Sequence, residues 1–269
     1  MREAGNSIAK MFAGVRARRR IAFMPYVCMG DGGEEFTEKL VRVLAKNGAD
    51  LVELGLPFSD PIADGKTIQG ASMRALEGGM NTDRALALVK RMRRGGEGIP
   101  FVVMTYYNLL VAKGVEKFVK DFAKAGVQGL IIPDLPLEES AGLERICAKY
   151  GMALVQLVAP STDNARMKKI AKASRGFLYV VSVSGVTGAR KNVRAGALAL
   201  VRRAKRISPV PVAVGFGVSE PAHVAALRKA GADGFIVGSR LIDIYEKEKI
   251  EAKAIRKIGQ FARKMTACR

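Results

Sequence analysis

"AKAGVQGLIIPD", residues 123–134, runs from the end of a helical pattern through a glycine into an apolar strand-like run. The same passage returns as "AKNGADLVELG" (45–55) and "RKAGADGFIVGS" (228–239). In each, Lys or Arg closes the helix, where a cation meets the negative end of the helix dipole. A glycine suited to a left-handed cap follows, then a buried strand. Repeated helix–glycine–strand junctions are what βα connectivity demands. Working outward, further strand-like runs lie at 21–29, 49–57, 99–107, 127–135, 152–160, 176–184, 210–218 and 233–239. Amphipathic helical patterns separate them, as in "GVEKFVKDFAKAG", whose Val115, Phe118, Val119 and Phe122 share one face. The strands are continuous apolar runs, which fits a parallel sheet covered by helices. Eight such units within 269 residues predict a closed barrel, with an open doubly wound sheet as the alternative. No linker or low-complexity segment divides residues 1–269, so one domain is expected. The segment 1–20 reads as an extra N-terminal helix (about 4–18) set against the N-terminal mouth of the barrel. The fold class is thus α/β, a single (β/α)8 TIM barrel preceded by a helix.

Composition narrows the function. The sequence has 45 Lys and Arg against 25 Asp and Glu, a net charge of +20. Such a balance admits polyanion binding, but the cations are spread along nearly every helix, with no aromatic-interleaved stripe. A basic nucleic-acid-binding barrel is therefore kept as an alternative only. Three widely spaced cysteines (Cys28, Cys147, Cys268) form neither a disulfide framework nor a metal motif. The single histidine, His223, excludes a Ser/His/Asp triad in practice and reads as a solvated helix residue; no metal site is expected. No apolar run approaches the ~18 residues that span a bilayer. No signal peptide is read at the start, and a cytoplasmic location is expected.

Chemistry in a barrel belongs at the C-terminal ends of the strands. There "VELGLPFSDPIADGKTIQG" (52–70) gathers Glu53, Asp60 and Asp64. A strand that sends Val52 and Leu54 outward points Glu53 inward, among apolar layers. Such a carboxylate has a raised pKa and suits acid–base work; a buried glutamate satisfied by a tyrosine or backbone group is the other reading. "VGFGVSEP" and "IVGSRLIDI" place Gly215, Gly217, Gly238 and Ser239 after the last two strands, where backbone N–H groups make an anion site or merely turn the chain. "SVSGVTGARKNVRAG" (182–196), after the sixth strand, is either a lid or an ordinary exposed loop.

Taken together, "ELGLPFSDPIADGKTIQGAS", "MPYVCMGDGG", "YYNLL", "GLIIPDLPLEES", "LVAPST", "SGVTGAR", "VGFGVS" and "ADGFIVGSRL" resemble, in order, segments of the tryptophan synthase α subunit. The resemblance covers roughly 20–245. It implies a (β/α)8 lyase that cleaves indole-3-glycerol phosphate to indole and glyceraldehyde 3-phosphate without a cofactor. It also implies a β subunit partner, in an α2β2 assembly, which uses pyridoxal phosphate to join indole to serine. By resemblance Glu53 is the general acid/base and Asp64 the carboxylate for the indole N–H. Tyr179 stands beside Glu53, and Thr187 is the lid residue that meets Asp64. Phe23, Tyr106 and Phe216 wall the indole pocket. Gly188, Gly215, Gly217, Gly238 and Ser239 hold phosphate, and Pro57, Asp60 and Pro61 face the β partner. Val183 departs from the family, which often has Arg there. A non-catalytic activator of a β subunit, or another phosphate-gripping barrel acting on a sugar phosphate, remain the alternatives.

Overall fold

The computed structural model describes residues 7–181, 195–215 and 217–269. Eight parallel strands close into a barrel in sequence order: β1 (Ala22–Cys28), β2 (Val52–Gly55), β3 (Phe101–Met104), β4 (Gly129–Ile131), β5 (Ala153–Val158), β6 (Leu178–Val181), β7 (Val212–Gly215) and β8 (Gly234–Val237), with β8 paired to β1. The expected closed barrel is found, and the open sheet is not. Helices α1 (Ser7–Ala17), α2 (Glu34–Lys46), α3 (Lys66–Glu77), α4 (Thr82–Arg94), α5 (Tyr107–Lys113), α6 (Val115–Lys124), α7 (Ala141–Lys149), α8 (Asn164–Ala173), α9 (Ala195–Ile207), α10 (Pro221–Ala230), α11 (Ser239–Glu246) and α12 (Glu251–Thr266) surround it.

The three junctions behave as their sequences require. Gly48, Gly126 and Gly231 have φ of 95°, 94° and 91°, left-handed conformations that a β-carbon disfavours. Just beyond them a polar side chain opens each strand. Asp50 accepts from the Phe23 N–H, Gln128 from that of Phe101, and Asp233 from that of Val212. Each of these ties the start of one strand to its neighbour.

Register fixes which residues face inward. Ala22 and Met24 lie against the space where a Gly234 side chain would be, and Tyr26 pairs with Glu53. Glu53 pairs with Val102, Val102 with Gly129, Tyr179 with Ala213, and Ala213 with Gly234. Following this alternation around the ring, Tyr26, Glu53, Gly55, Tyr179 and Gly215 belong to the inward set. Phe23 belongs to the other set. It is fully buried, and its ring stacks on that of Phe235 with centroids 5.2 Å apart.

Helix α1 sits across the strand-starting end of the barrel. Ile8 fills the space left by Gly129 and Gly176, and Phe12 meets Phe177 at 5.9 Å. Ile8, Phe12 and Val15 are buried and form one stripe of the helix. No helix among the described residues is long and apolar enough to cross a membrane.

Candidate active site

At the opposite end, Glu53 stands on β2 with 1% of its surface exposed. Neither of its carboxylate oxygens has a hydrogen-bond partner among the described residues. Burial is the main reason its pKa rises to about 8, and the charge of Asp64 adds to the rise. The Tyr179 hydroxyl acts the other way without closing a bond of ordinary geometry. A buried carboxyl with no partner costs stability unless something else uses it.

Asp64 lies in the loop between β2 and α3. The Tyr106 hydroxyl donates to its Oδ2 at 3.0 Å and accepts the Ala63 N–H at 3.1 Å. The Asp64 carbonyl takes the Gln69 amide at 2.8 Å, and its N–H reaches the Pro61 carbonyl. Partial burial lifts the Asp64 carboxyl to about 6, opposed by the bond from Tyr106. The Tyr106 ring stacks on Phe58 at 5.0 Å, which fixes the hydroxyl that holds Asp64. The two acids are therefore set apart: near neutrality Glu53 keeps its proton and Asp64 is an anion.

Two tyrosines lean over glycines beside these acids. A β-carbon on Gly215 would lie 2.2 Å from the Tyr179 hydroxyl, and one on Gly55 would lie 2.1 Å from that of Tyr26. Gly238 is crowded by Tyr26 and Ile68 in the same way. These glycines leave room for the two tyrosine side chains. Tyr26 and Tyr179 are buried, and burial together with the charges of Glu53 and Asp64 holds both phenols well above their usual pKa.

The family resemblance implies that Phe23 forms the pocket wall on β1. The structure corrects this: Phe23 lies on the outer alternation against Phe235, and Tyr26 occupies the inward position. The uniform apolar run 21–29 gave no alternation from which to see it. Tyr106 lies beside Asp64, as just described. Gly215, at the end of β7, and Gly238 with Ser239, after β8, come from adjacent strands. Ser239 opens α11, and Gly217 follows β7 with φ 55°. Thr187, Gly188, Phe216 and Val183, with most of the expected lid 182–196, lie outside the described residues.

The loop expected to meet a partner divides. Asp60 is exposed and its carboxylate accepts the Ser59 hydroxyl; Pro61 is half-buried. Pro57 is buried within the chain, so it does not present its ring outward. Ile62, at 84% exposure, does. Nothing in the sequence singled it out, since one apolar residue in a loop is unremarkable.

Two further features escaped the sequence reading. Asp31, at the end of β1, is buried and takes both a bidentate bond from Arg74 (2.8 Å each) and the Tyr245 hydroxyl. It thereby anchors α3 and α11, the two helices that frame the site. A cleft of about 490 Å³ lies outside this anchor, lined by Gly30 to Gly33, Arg74 and Glu246. His223 is buried rather than solvated, and its Nδ1 accepts the Ser219 N–H at 3.2 Å, closing the start of α10. No group of three or more potential metal ligands occurs among the described residues.

A parallel barrel whose mouth pairs a protonated glutamic acid with an aspartate, beside a glycine-lined exit from its last two strands, defines an acid–base enzyme of the (β/α)8 class. The model of the tryptophan synthase alpha chain family matches residues 12–268. The alpha chain of Methanocaldococcus jannaschii is 44% identical over 254 residues, 94% of this chain and 90% of that protein. That of Methanosarcina acetivorans is 46% identical over 252 residues, covering 92% and 91%. A chain in a structure of the tryptophan synthase α2β2 complex from Pyrococcus furiosus superposes with a TM-score of 0.86 at 39% identity, covering 91% of this chain and 98% of that one. The chain belongs to the tryptophan synthase alpha chain family.

Proposed function

We propose that the chain cleaves indole-3-glycerol phosphate to indole and glyceraldehyde 3-phosphate, with Glu53 and Asp64 as its two catalytic carboxyls. The observation that carries this reading is the buried, unpartnered Glu53, protonated near neutrality, beside an ionised Asp64.

Glu53 gives its proton to indole C3. That step breaks the aromaticity of the pyrrole ring and places positive charge on the ring nitrogen. Asp64, ionised and held by Tyr106, accepts the N–H and stabilises that charge as it develops. The Glu53 carboxylate then takes the proton of the side-chain hydroxyl next to C3. The carbon–carbon bond breaks, its electron pair returns to the ring, and the hydroxyl carbon becomes the aldehyde. Glu53 ends the cycle protonated as it began. The protonated indole is its own electron sink, so no lysine imine and no cofactor in this chain is required.

Tyr179 and Tyr26 restrict the space around Glu53. Gly215, Gly217, Gly238 and Ser239 offer backbone N–H groups to the phosphate at the exit of β7 and β8. To Gly188, Thr187 and Phe216, which lie outside the described residues, the family resemblance assigns a phosphate contact, a contact to Asp64 and a place in the pocket wall. Residues 1–269 act as one unit in the cytoplasm. Indole passes to a β subunit carrying pyridoxal phosphate, and the exposed Asp60 and Ile62 with Pro61 face that partner in an α2β2 assembly. The Pyrococcus furiosus complex, described as mutually activating, supports this pairing.

The test is indole release from indole-3-glycerol phosphate by the chain alone and with a β subunit. Glu53→Gln is expected to lose on the order of 10²–10⁴-fold in turnover, the usual contribution of a positioned acid–base group. Wild-type turnover by Glu53→Gln eliminates the assignment. An inactive chain that still fully activates β points to a purely activating role.

A further inference from the structure

We propose that the strand-starting end of the barrel, opposite the catalytic mouth, is a docking surface for duplex nucleic acid held through its phosphate backbone. In sequence the Lys and Arg residues are dispersed. The fold collects them. Every barrel helix runs back against its strand, so helix C-termini gather at the end where the strands begin. The last turns of α2, α4, α6, α7, α8, α9 and α10 all carry Lys or Arg.

The acids at this end are already saturated. Asp50 takes Arg20 at 3.6 Å and Arg269 at 2.6 Å; Asp233 takes Arg16 at 3.8 Å and Lys205 at 2.6 Å. Around them Arg18, Arg19, Lys172, Arg206 and Lys229 are exposed, and no ion pair to any of them occurs among the described residues. They are neighbours in space. Arg228 donates to the Arg19 carbonyl at 3.0 Å, Arg16 and Lys205 share Asp233, and α9 packs on both α8 and α10. The sequence supplies the excess: between Glu144 and Glu220, leaving out residues 182–194, Asp163 is the single acid against eleven Lys and Arg.

The chemistry of the patch selects the partner. Arginine forks match phosphate oxygens, and a row of cations displaces the counterions of a charged polymer. None of the exposed large apolar residues (Ile62, Met73, Val111, Ile250) lies on α1, α8, α9 or α10, so these helices offer no wedge to a lipid surface. Nor do they expose an aromatic ring for stacking the bases of a single strand. What remains is sequence-independent recognition of a duplex backbone. The mouth, at the far end, stays open to substrate.

The test is binding of a short labelled DNA duplex by the full chain over a range of KCl, with phosphatidylserine vesicles as a parallel arm. Wild type is expected to bind the duplex with a Kd of about 10⁻⁴–10⁻⁶ M near physiological salt. The variant Arg18→Glu/Arg206→Glu/Lys229→Glu is expected to bind at least about tenfold more weakly, with a salt slope shallower by about 0.9 for each phosphate it no longer neutralises. Lys39→Glu/Lys247→Glu/Lys249→Glu, in the first half of α2 and just after α11, makes the same change in net charge away from this end and is expected to leave the slope intact. Both triples keep indole release, which shows that they fold. Equal losses from the two triples, no duplex binding by wild type near 0.15 M salt, or tighter binding to vesicles than to duplex overturns the proposal.

Discussion

Replacing Glu53 by glutamine is expected to make the chain more stable than wild type at alkaline pH while it lowers turnover by on the order of 10²–10⁴-fold. In the folded chain the Glu53 carboxyl ionises at about 8 against an ordinary 4.5. Below the ordinary value it is protonated in both states and there is no penalty. As the pH rises from there toward 8, the unfolded chain releases the proton and the folded chain does not, so stability falls. Each pH unit in that interval costs about 1.4 kcal/mol. Between pH 6 and pH 8 the unfolded carboxyl is ionised throughout, and the loss comes to about 2 kcal/mol once the rounding near the folded pKa is included. Asp64, already at about 6, contributes little more over that range. Glutamine has nothing to ionise. Urea unfolding of wild type and Glu53→Gln at pH 6 and pH 8 measures the effect. The expected result is that the variant gains about 2 kcal/mol relative to wild type over the interval. A difference that does not change with pH refutes the claim that Glu53 is a strongly shifted buried acid, and with it the division of roles between the two carboxyls.

The profile of kcat/KM against pH should be bell-shaped, failing below about 6 as Asp64 is protonated and above about 8 as Glu53 loses its proton; a flat profile across that range rules out the assignment. Tyr106→Phe removes the hydroxyl that holds the Asp64 carboxylate, so the acid limb should move up, with a few-fold drop in kcat/KM at neutral pH; an unmoved limb shows that the bond does not act on Asp64. Gly215→Ala drives a methyl against the Tyr179 ring and should lower stability by about 1–3 kcal/mol by thermal unfolding, together with indole release. Gly142→Ala, on an exposed helical turn with open space around it, should be neutral or stabilising by up to about 1 kcal/mol in the same measurement.

Much of this architecture was legible because it is written locally. The three junction glycines announce their left-handed caps through the residues on either side, and the eight apolar runs follow from length and periodicity. The inward aim of Glu53 was readable because a charged residue inside an apolar strand has only one tolerable use for its orientation. Phe23 was misplaced for the opposite reason. Every residue from Ala22 to Cys28 is buried, so neither face of that strand is marked in the sequence, and a shift of one residue exchanges the faces. Only its pairing with Glu53 identifies Tyr26 as the inward residue. The burial of Pro57 and the hydrogen bond to His223 depend on how loops fold back on the barrel, which adjacent residues do not specify. The collected charge at the strand-starting end is a property of direction: helices that all run one way turn scattered residues into a surface.

The seat of α1 has a consequence for the order in which the chain is assembled. Ile8 and Phe12 rest on Gly129, Gly176 and Phe177, so this helix leaves the ribosome with no binding site until the chain has been made as far as Phe177. The plug is synthesised early and seated late, since its socket exists only when β4, β5 and β6 stand side by side. Loop closure over such a span is a slow, entropically costly event. A bulky fusion placed immediately before Ser7 thus threatens the last stage of maturation, at the end of the barrel farthest from the chemistry.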